Sequence, residues 1–323
     1  MDGIVIVYKE KGYTSHDVVY KVKKLFNEKV GHTGTLDPLA EGVLPVLVGK
    51  GTLTSKYLIN HDKKYIATIQ LGKKTDTADE EGNVIEELPV DEKNFDSENI
   101  NKVLHSFLGI QDQTPPIYSA IKINGKKLYE YARKGEKIKI QPRKIEIYDI
   151  NLIDYSLPKK QIIFEVYCGK GTYIRALCEN IAESFGTCGY MKSLERTQVG
   201  SFSLDDCVTI DELEKNIDNV DFLNKKIISI EKLFSKNESI HLNNNELKLF
   251  LNGVKLPICK LKISGMNQNS LDESNLEKSN LKIINSKNVD MKDICYACRI
   301  YNNGKFIGIG DINNNFLKRN IVI

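Results

Sequence analysis

Several features that mark special classes of protein are missing from this sequence. No apolar run reaches the roughly 18 residues that a membrane-spanning helix needs. The first residues, MDGIVIVY, contain no basic leader and no small-residue cleavage site, so a secretory signal peptide is not predicted. We therefore expect a globular cytoplasmic protein that has no contact with a membrane.

Sequence patterns for metals and nucleotide cofactors are missing as well. The seven cysteines are an odd number and lie mostly within apolar runs, which predicts reduced, packed thiols and no disulfide framework. Cys295 and Cys298 have the spacing of half a zinc site, but both lie on a predicted strand, where residues three apart face opposite sides. The segment GKGT at 49–52 lacks the upstream glycine of a phosphate-binding loop. We therefore expect neither a metal nor a cofactor.

Charge is distributed unevenly, although the whole chain has a formal net charge of only +3. Residues 75–99 hold ten acids and one lysine, whereas residues 114–146 hold nine bases and three acids, with Tyr118, Tyr129 and Tyr131 among them. Bases attract phosphate and aromatic rings stack on unpaired nucleobases, so the second segment is typical of a nucleic-acid surface. A solvated protein face is the alternative interpretation.

The length predicts about two domains, and a hydrophobic content of 41% is sufficient for a sizeable core. We predict one domain over residues 1–235 and a smaller one over residues 240–323, because an apolar stretch ends between them. Residues 236–323 hold 13 bases and 8 acids, so the C-terminal part is the more basic one. Residues 264–290 contain eleven asparagines and serines among 27 and are expected to form a loose insertion.

The secondary-structure pattern is mixed. Alternating or β-branched residues predict strands at 4–8, 64–71, 144–155, 161–168, 295–301 and 305–309. Amphipathic spacing predicts helices at 15–26, 99–108 and 173–185. Because the strands cluster without regular β-α alternation, the pattern favours an α+β fold over a doubly wound sheet.

The most informative segment is GHTGTLDPLAEGVLPV at 31–46. Its glycines and prolines predict a tight, irregular loop that carries His32 and Asp37. An aspartate before a proline is common in turns, but here Leu36 and Leu39 surround it, and a desolvated carboxylate needs a partner. This setting makes Asp37 a candidate functional residue.

This segment closely resembles the catalytic loop of the TruB family of tRNA pseudouridine synthases, in which the aspartate is catalytic. Other family motifs are matched in the same order by KEKGYTS at 9–15, KY at 64–65, TDTADEEG at 75–82, QTPPIYSAIK at 113–122, GKGTYIR at 169–175 and LERT at 194–197. Three positions depart from the pattern, with Glu10 for proline, Ala78 for glycine and Glu195 for arginine. The segment YNNGKFIGIG at 301–310 resembles the closing strands of a PUA-type RNA-binding domain.

The resemblance implies a pseudouridine synthase fold, with a mixed, largely antiparallel sheet flanked by helices, and a small, mostly β, PUA-like C-terminal domain. It implies that uridine 55 in the T arm of tRNA is isomerised, with cleavage of C1′–N1 and formation of C1′–C5. Asp37 is then the catalytic carboxylate and Arg175 keeps it ionised. Tyr65 stacks on the target base and helps to remove the C5 proton, and Tyr173 hydrogen-bonds near Asp37.

The resemblance also implies how the RNA is held. The target base must leave its stack, which costs a few kcal/mol, and His32 is expected to occupy the vacated space. Thr14, Ser15 and the basic segment 114–146 are expected to hold phosphates, and Leu194 is expected to form an apolar wall of the pocket. The other substrate-binding residues implied are Lys9, Lys122, Arg133 and Arg196.

The residues favour a stand-alone, monomeric tRNA enzyme without an obligate protein partner over three other functions. The catalytic subunit of a guide-RNA pseudouridylation particle shares most of these motifs, but it is usually extended at its N-terminus, whereas only 30 residues precede Gly31. A non-catalytic RNA-binding or tRNA-folding protein would keep the fold, although Asp37, Tyr65 and Arg175 are all present. A metal-dependent nuclease would need clustered ligands, which the acidic run at 75–99 does not provide.

Overall fold

The computed structural model describes residues 1–119, 121–136, 138–264 and 296–323. Its strands are β1 (Gly3–Lys9), β2 (Val30–His32), β3 (Glu41–Val48), β4 (Lys63–Leu71), β5 (Lys73–Thr75), β6 (Val84–Glu87), β7 (Gly109–Gln113), β8 (Lys122–Ile123), β9 (Lys126–Lys127), β10 (Arg143–Ser156), β11 (Gln161–Cys168), β12 (Gly189–Val199), β13 (Phe202–Ser203), β14 (Ile227–Ile228), β15 (Ser239–His241), β16 (Leu256–Pro257), β17 (Lys262–Ser264), β18 (Tyr296–Asn302), β19 (Lys305–Asn313) and β20 (Phe316–Val322). Its α-helices are α1 (Ser15–Phe26), α2 (Ser55–Leu58), α3 (Ser97–His105), α4 (Leu128–Arg133), α5 (Ile174–Ser184), α6 (Ile210–Lys215), α7 (Val220–Lys226), α8 (Ile230–Leu233) and α9 (Asn244–Leu251). Short 3-10 turns cover Gly49–Thr54, Glu92–Asn94, Leu204–Asp206 and Ile258–Lys260.

The main sheet is mixed and largely antiparallel. Its strands follow the order β14-β1-β3-β12-β4-β11-β10-β7, with β2 beside β3 and β13 beside β12. Strands β3 and β12 are the parallel neighbours in this order. Helices α1, α6 and α7 pack on the β1–β3 half, whereas α3 and α5 pack on the β4–β10 half. This architecture confirms the predicted α+β fold.

Local sequence explains the elements whose bounds were predicted. Helix α1 begins after Thr14, which exchanges hydrogen bonds with Asp17 in a capping box, and buries Val18 and Val22. Strand β11 alternates between buried and partly exposed residues over the predicted range. Helices α3 and α5 are shorter than the ranges predicted for them, 99–108 and 173–185.

The prediction of an irregular loop throughout 31–46 was wrong for its second half. Residues Glu41–Val48 form β3, which pairs with β1 from Gly42 to Val48. Pro45 lies next to the end of the β2 pairing, which covers Val46–Val48 of β3. Its carbonyl accepts from the Thr33 N–H at 3.3 Å, so its nitrogen faces the β2 side and not β1. The missing N–H therefore costs the β1–β3 ladder no hydrogen bond. The irregular loop is therefore confined to the residues between β2 and β3.

A second sheet contains the C-terminal strands in the order β16-β20-β19-β18-β15-β17. Its core includes Ile240, Phe250, Cys298, Ile300 and Leu317, and helix α9 packs on it. This small β-rich unit is consistent with the PUA-like domain that was expected. The loose insertion predicted at 264–290 lies, apart from Ser264, outside the described residues.

The described part of the chain bears on three further expectations. Cys168, Cys178, Cys188 and Cys298 are buried reduced thiols, as predicted, whereas Cys207 is partly exposed, Cys259 is exposed and Cys295 lies outside the described residues. Within the described ranges, no helix combines the length and apolar character needed to cross a membrane. In the same ranges, no group of three or more histidine, cysteine or acidic side chains is arranged to hold a metal ion.

Candidate active site

The loop that carries Asp37 is fixed to the start of helix α1. The Ser15 hydroxyl donates to the Leu36 carbonyl at 3.1 Å and accepts from the Leu36 N–H at 2.8 Å. On the other side of Asp37, the Gly12 N–H donates to the Pro38 carbonyl at 2.9 Å. Ser15 is buried, so the structure places it beneath the loop, and the phosphate contact expected from the sequence is not the contact seen here. Its two hydrogen bonds hold the main chain of Leu36 against the start of α1.

Lys9 is fully buried below the same loop. Its ammonium donates to the carbonyls of Glu10 at 3.1 Å, Tyr13 at 2.6 Å and Pro38 at 3.3 Å. Burial lowers the pKa of Lys9 to about 8, against the opposing effect of the Asp37 carboxylate. Because three protein carbonyls use its three donors, Lys9 supports the loop in this structure.

Asp37 and Arg175 form an ion pair across the mouth of the site. The Arg175 Nε lies 2.9 Å from Asp37 Oδ2, and its Nη2 donates to Oδ1 at 3.3 Å. The Asp37 side chain is 35% exposed, whereas that of Arg175 is 7% exposed. Arg175 lies in the first turn of α5, and its charge is directed out of the helix toward the loop. The carboxylate therefore faces solvent while the cation that holds it is buried.

Arg175 is itself fixed by three further groups. Its Nη1 donates to the Thr77 carbonyl at 3.2 Å and its Nη2 donates to the Tyr118 carbonyl at 2.9 Å. Its Nη1 also lies 3.6 Å from Asp79 Oδ2. Asp79 is buried and accepts from the Thr77 hydroxyl at 2.5 Å and from the Glu81 N–H at 3.2 Å. The sequence interpretation did not assign a role to Asp79, although it lies in the TDTADEEG motif.

Burial raises the pKa of Asp37 above the ordinary value of an aspartate. The positive charge of Arg175 opposes this effect, the negative charge of Asp79 adds to it, and Lys9 opposes it weakly. The net direction is upward, so the ion pair with Arg175 only partly offsets the desolvation of the carboxylate. The ionised form of Asp37 is therefore less favoured than the sequence interpretation implied.

Tyr65 lies on β4 directly opposite Arg196 on β12. The tyrosine is 7% exposed, and burial raises its pKa to about 12, so it is a neutral phenol at neutral pH. Arg196 is buried and donates from Nε to the Val43 carbonyl at 2.8 Å and from Nη2 to the Gly34 carbonyl at 3.1 Å. These bonds tie Arg196 to strand β3 and to the loop that carries Asp37. The direct RNA contact expected for Arg196 is not the role that this position indicates.

Tyr173 and Leu194 are the remaining residues that the sequence places in the site around Asp37. The main chain of Tyr173 is paired with the buried Gln113 amide, through N–H to Oε1 at 2.8 Å and Nε2 to carbonyl at 3.1 Å. Leu194 is buried in the apolar cluster that also contains Leu36 and Tyr65. The structure therefore brings together the residues expected to form the pocket. It adds Gln113, whose only sequence signal is its place at the start of the QTPPIYSAIK motif.

The remaining predicted RNA-binding residues differ in their exposure and in their partners. Lys122 and Arg133 are exposed, and the Arg133 guanidinium lies 5.4 Å from the centre of the Tyr129 ring. Thr14 is exposed, but its hydroxyl belongs to the helix cap with Asp17. His32 accepts from the Gly34 N–H at 3.3 Å, and burial and then the nearby Arg196 charge lower its pKa, which favours a neutral ring. The basic segment reaches the site through the Tyr118 carbonyl.

Comparison with known proteins identifies the class and the fold. The protein's class is that of the pseudouridylate synthases: the family model described as TruB family pseudouridylate synthase, N-terminal domain, matches residues 22–174. A second model, the tRNA pseudouridylate synthase B C-terminal domain, matches residues 175–235. Cbf5 in a crystal structure of a Cbf5–Nop10–Gar1 complex has the same fold, with a TM-score of 0.63 at 23% identity over 96% of this chain and 78% of that chain.

Curated relatives identify the family. The tRNA pseudouridine synthase B of Staphylococcus aureus (strain MRSA252) is 42% identical over 79% of this chain and 85% of its own length. The tRNA pseudouridine synthase B of Clostridium novyi (strain NT) is 44% identical over 79% of this chain and 86% of its own length. The chain belongs to the TruB family, and it is an isomerase that forms pseudouridine.

Proposed function

We propose that this protein converts uridine 55 in the T arm of tRNA to pseudouridine, with Asp37 as the catalytic carboxylate. The observation that carries the proposal is the Asp37 carboxylate, about one-third exposed, held at both oxygens by a buried arginine and flanked by Leu36 and Leu39 of the apolar cluster that contains Tyr65 and Leu194. The relatives at above 40% identity are named for tRNA. Cbf5 shares only the fold, so tRNA is preferred to a guide-RNA system as the substrate source.

In this mechanism the flipped uridine enters between Tyr65 and Leu194. The Asp37 carboxylate attacks at C1′ or C6, or assists electrostatically, as C1′–N1 breaks and its electron pair leaves with N1. The base then turns, C5 bonds to C1′ and any bond to Asp37 breaks. The C5 proton passes to water, and N1 takes up a proton from water. Tyr65 enters the reaction protonated and supplies the stacking contact. His32, as a neutral ring at the loop, takes the place of the flipped nucleotides. The chemistry involves no electron or phosphoryl transfer, so we expect it to need no cofactor.

We assign residues 1–235 to catalysis and residues 240–323 to RNA binding, with 114–146 as an additional RNA-contacting segment. Lys122 and Arg133 on that segment are exposed, and the Arg133 guanidinium lies over the Tyr129 ring, which suits contact with RNA. We further propose that the protein acts in the cytoplasm, as a monomer and without an obligate protein partner.

Position mapping tests this proposal. Purified protein should convert uridine 55 of a tRNA transcript in buffer that contains EDTA, and carbodiimide mapping should show a new stop at that position alone. A transcript with cytidine at 55 should give no stop, and neither should Asp37→Asn on the normal transcript. Modification at a different position, or activity lost in EDTA and restored by a divalent metal, would contradict the proposal.

A further inference from the structure

A polar network joins the C-terminal sheet to the main sheet. Asp311 on β19 accepts a hydrogen bond from the Tyr57 hydroxyl of α2 at 2.9 Å. The Asn320 amide on β20 donates to both Asp311 carboxylate oxygens at 2.8 Å and also contacts the Tyr57 hydroxyl. The half-exposed Lys56 ammonium lies 3.6 Å from Asp311 Oδ2 and adds little, because water screens it. Side chains from α2, β19 and β20 thus converge on one carboxylate.

A β-bulge places Asn320 in this network. Ile309 pairs with Ile321 and Gly310 pairs with Arg319, so Asn320 is the extra residue of β20 between these two pairs. A bulge bends its strand and redirects the side chain of the extra residue. In a regular ladder Asn320 would have a cross-strand partner on β19, and its amide would not be directed in this way at the neighbouring α2 helix.

Apolar packing flanks the network on one side. The Tyr57 ring is 5% exposed and lies edge-on to Phe234, with ring centroids 4.9 Å apart. The same cluster contains Ile230, Ile309 and Ile321, which come from both sides of the junction. Apolar packing tolerates sliding, whereas a set of partly buried hydrogen bonds keeps its full strength only in one arrangement. The network therefore fixes the relative orientation of the two sheets more narrowly than the cluster alone would.

The junction is connected directly to the catalytic loop. Strand β3 begins just after the loop that carries Asp37, and it leads through the turn Gly49–Thr54 into α2, where Tyr57 lies. The strand is paired with β1 from Gly42 to Val48, so it is a rigid connection. If the C-terminal sheet shifted where it contacts Tyr57, the position of the sheet relative to Asp37 would therefore change.

We propose that Asp311, Asn320 and Tyr57 form a latch that holds the C-terminal sheet in register with the catalytic loop. Asp311 is thus a positioning residue, which acts on catalysis only through an RNA that contacts both parts of the protein. This inference rests on the proposed function. A full-length tRNA is long enough to reach both surfaces, whereas an isolated T-arm stem-loop occupies the catalytic part alone.

Two substrates of different size test the latch. Asp311→Ala and Tyr57→Phe should each raise the KM for full-length tRNA about tenfold, with kcat unchanged within about twofold. Both parameters for the T-arm stem-loop should stay within about twofold of wild type. The double variant should be no worse than the more affected single variant, because either change opens the same latch. Tyr155→Phe is the matched control, since the Tyr155 hydroxyl makes no hydrogen bond within the described residues and the ring is 37% exposed.

Equal impairment of both substrates would show that the network only supports folding, and an unchanged KM for tRNA in folded variants would show that it is dispensable. Either result overturns the latch. Wild-type protein that modifies neither RNA would contradict the proposed function instead. The latch is then judged by binding: the ratio of the Kd for stem-loop to the Kd for tRNA should fall about tenfold in Asp311→Ala, and an unchanged ratio overturns it.

Discussion

Arg175 contacts both carboxylate oxygens of Asp37, with Nε 2.9 Å from Oδ2 and Nη2 3.3 Å from Oδ1. A planar guanidinium that contacts both oxygens fixes the orientation of the carboxylate as well as its charge. Carbonyl groups of Thr77 and Tyr118 fix the guanidinium in turn. The direction in which Asp37 faces the substrate is therefore set by three separate segments of the chain.

Replacing the Arg175 guanidinium with a lysine ammonium should show whether Asp37 needs only a neighbouring positive charge or also a fixed orientation. We expect Arg175→Lys to lower the single-turnover rate at least ~100-fold, because an ammonium cannot span both oxygens and the carbonyls together. The tRNA Kd should stay within about threefold. Arg319→Lys, at an exposed arginine of the C-terminal sheet, is the matched control and should keep the wild-type rate with enzyme in excess. A near-normal rate for Arg175→Lys would mean that charge alone is sufficient.

The raised pKa of Asp37 leads to a prediction about stability. A carboxyl group whose pKa is higher in the folded state destabilises the fold once it is ionised, and this cost is absent below the ordinary aspartate pKa of about 3.9. Asp37→Asn should therefore melt at a higher temperature than wild type at pH 7. The difference should shrink as the pH falls toward 4, as thermal unfolding across that range will show. A lower melting temperature at pH 7 would mean that pairing with Arg175 outweighs burial.

Lys9 should matter for stability more than its basic charge suggests. Lys9→Met keeps the length of the side chain but leaves three carbonyls without their donor, which should lower the free energy of unfolding by about 2–4 kcal/mol. Lys24→Met, at an exposed position of α1, is the control and should change it by less than about 0.5 kcal/mol. Urea denaturation measures both. Equal stabilities would assign Lys9 to the RNA surface instead.

Ala78 has a left-handed backbone conformation, with φ of 62°, at a position where the family pattern has glycine. An alanine pays about 1–2 kcal/mol for this conformation. Ala78→Gly should therefore stabilise the protein by up to about 1 kcal/mol without slowing the reaction, despite the greater freedom of glycine in the unfolded chain. Ala182→Gly, inside helix α5, should have the opposite effect. A destabilised Ala78→Gly protein would show that the buried methyl group matters more than the backbone.

The sequence was sufficient where local pattern decides structure. The cap and apolar spacing of α1 and the alternation of β11 predicted their bounds, and the loop between apolar residues identified Asp37. Strands β3 and β12 were not predicted. Strand β3 contains a proline, and β12 carries charged residues such as Lys192 and Glu195. Both are stabilised by partners distant in the chain, which a local pattern does not reveal.

The roles of the basic residues show the same limit. Lys9, Arg196 and the exposed Arg133 look alike in the sequence, but only the fold shows which of them meets carbonyl groups. Asp79 was missed because an acidic run suggests a solvated surface, whereas this member of it is buried beside Arg175. Burial and partners, which depend on tertiary structure, separate the structural charges from the functional ones.

Single-turnover release of tritium from C5 of uridine 55, with enzyme in excess, tests the catalytic role of Asp37 most directly. Asparagine has nearly the shape of aspartate and no charge, so Asp37→Asn should bind tRNA within about tenfold of wild type. It should release tritium at least ~10³-fold more slowly, because the step at the sugar or base needs the carboxylate. Excess enzyme ensures that weak binding does not imitate lost chemistry. Release at the wild-type rate would show that Asp37 is a turn residue and that the proposed mechanism is wrong.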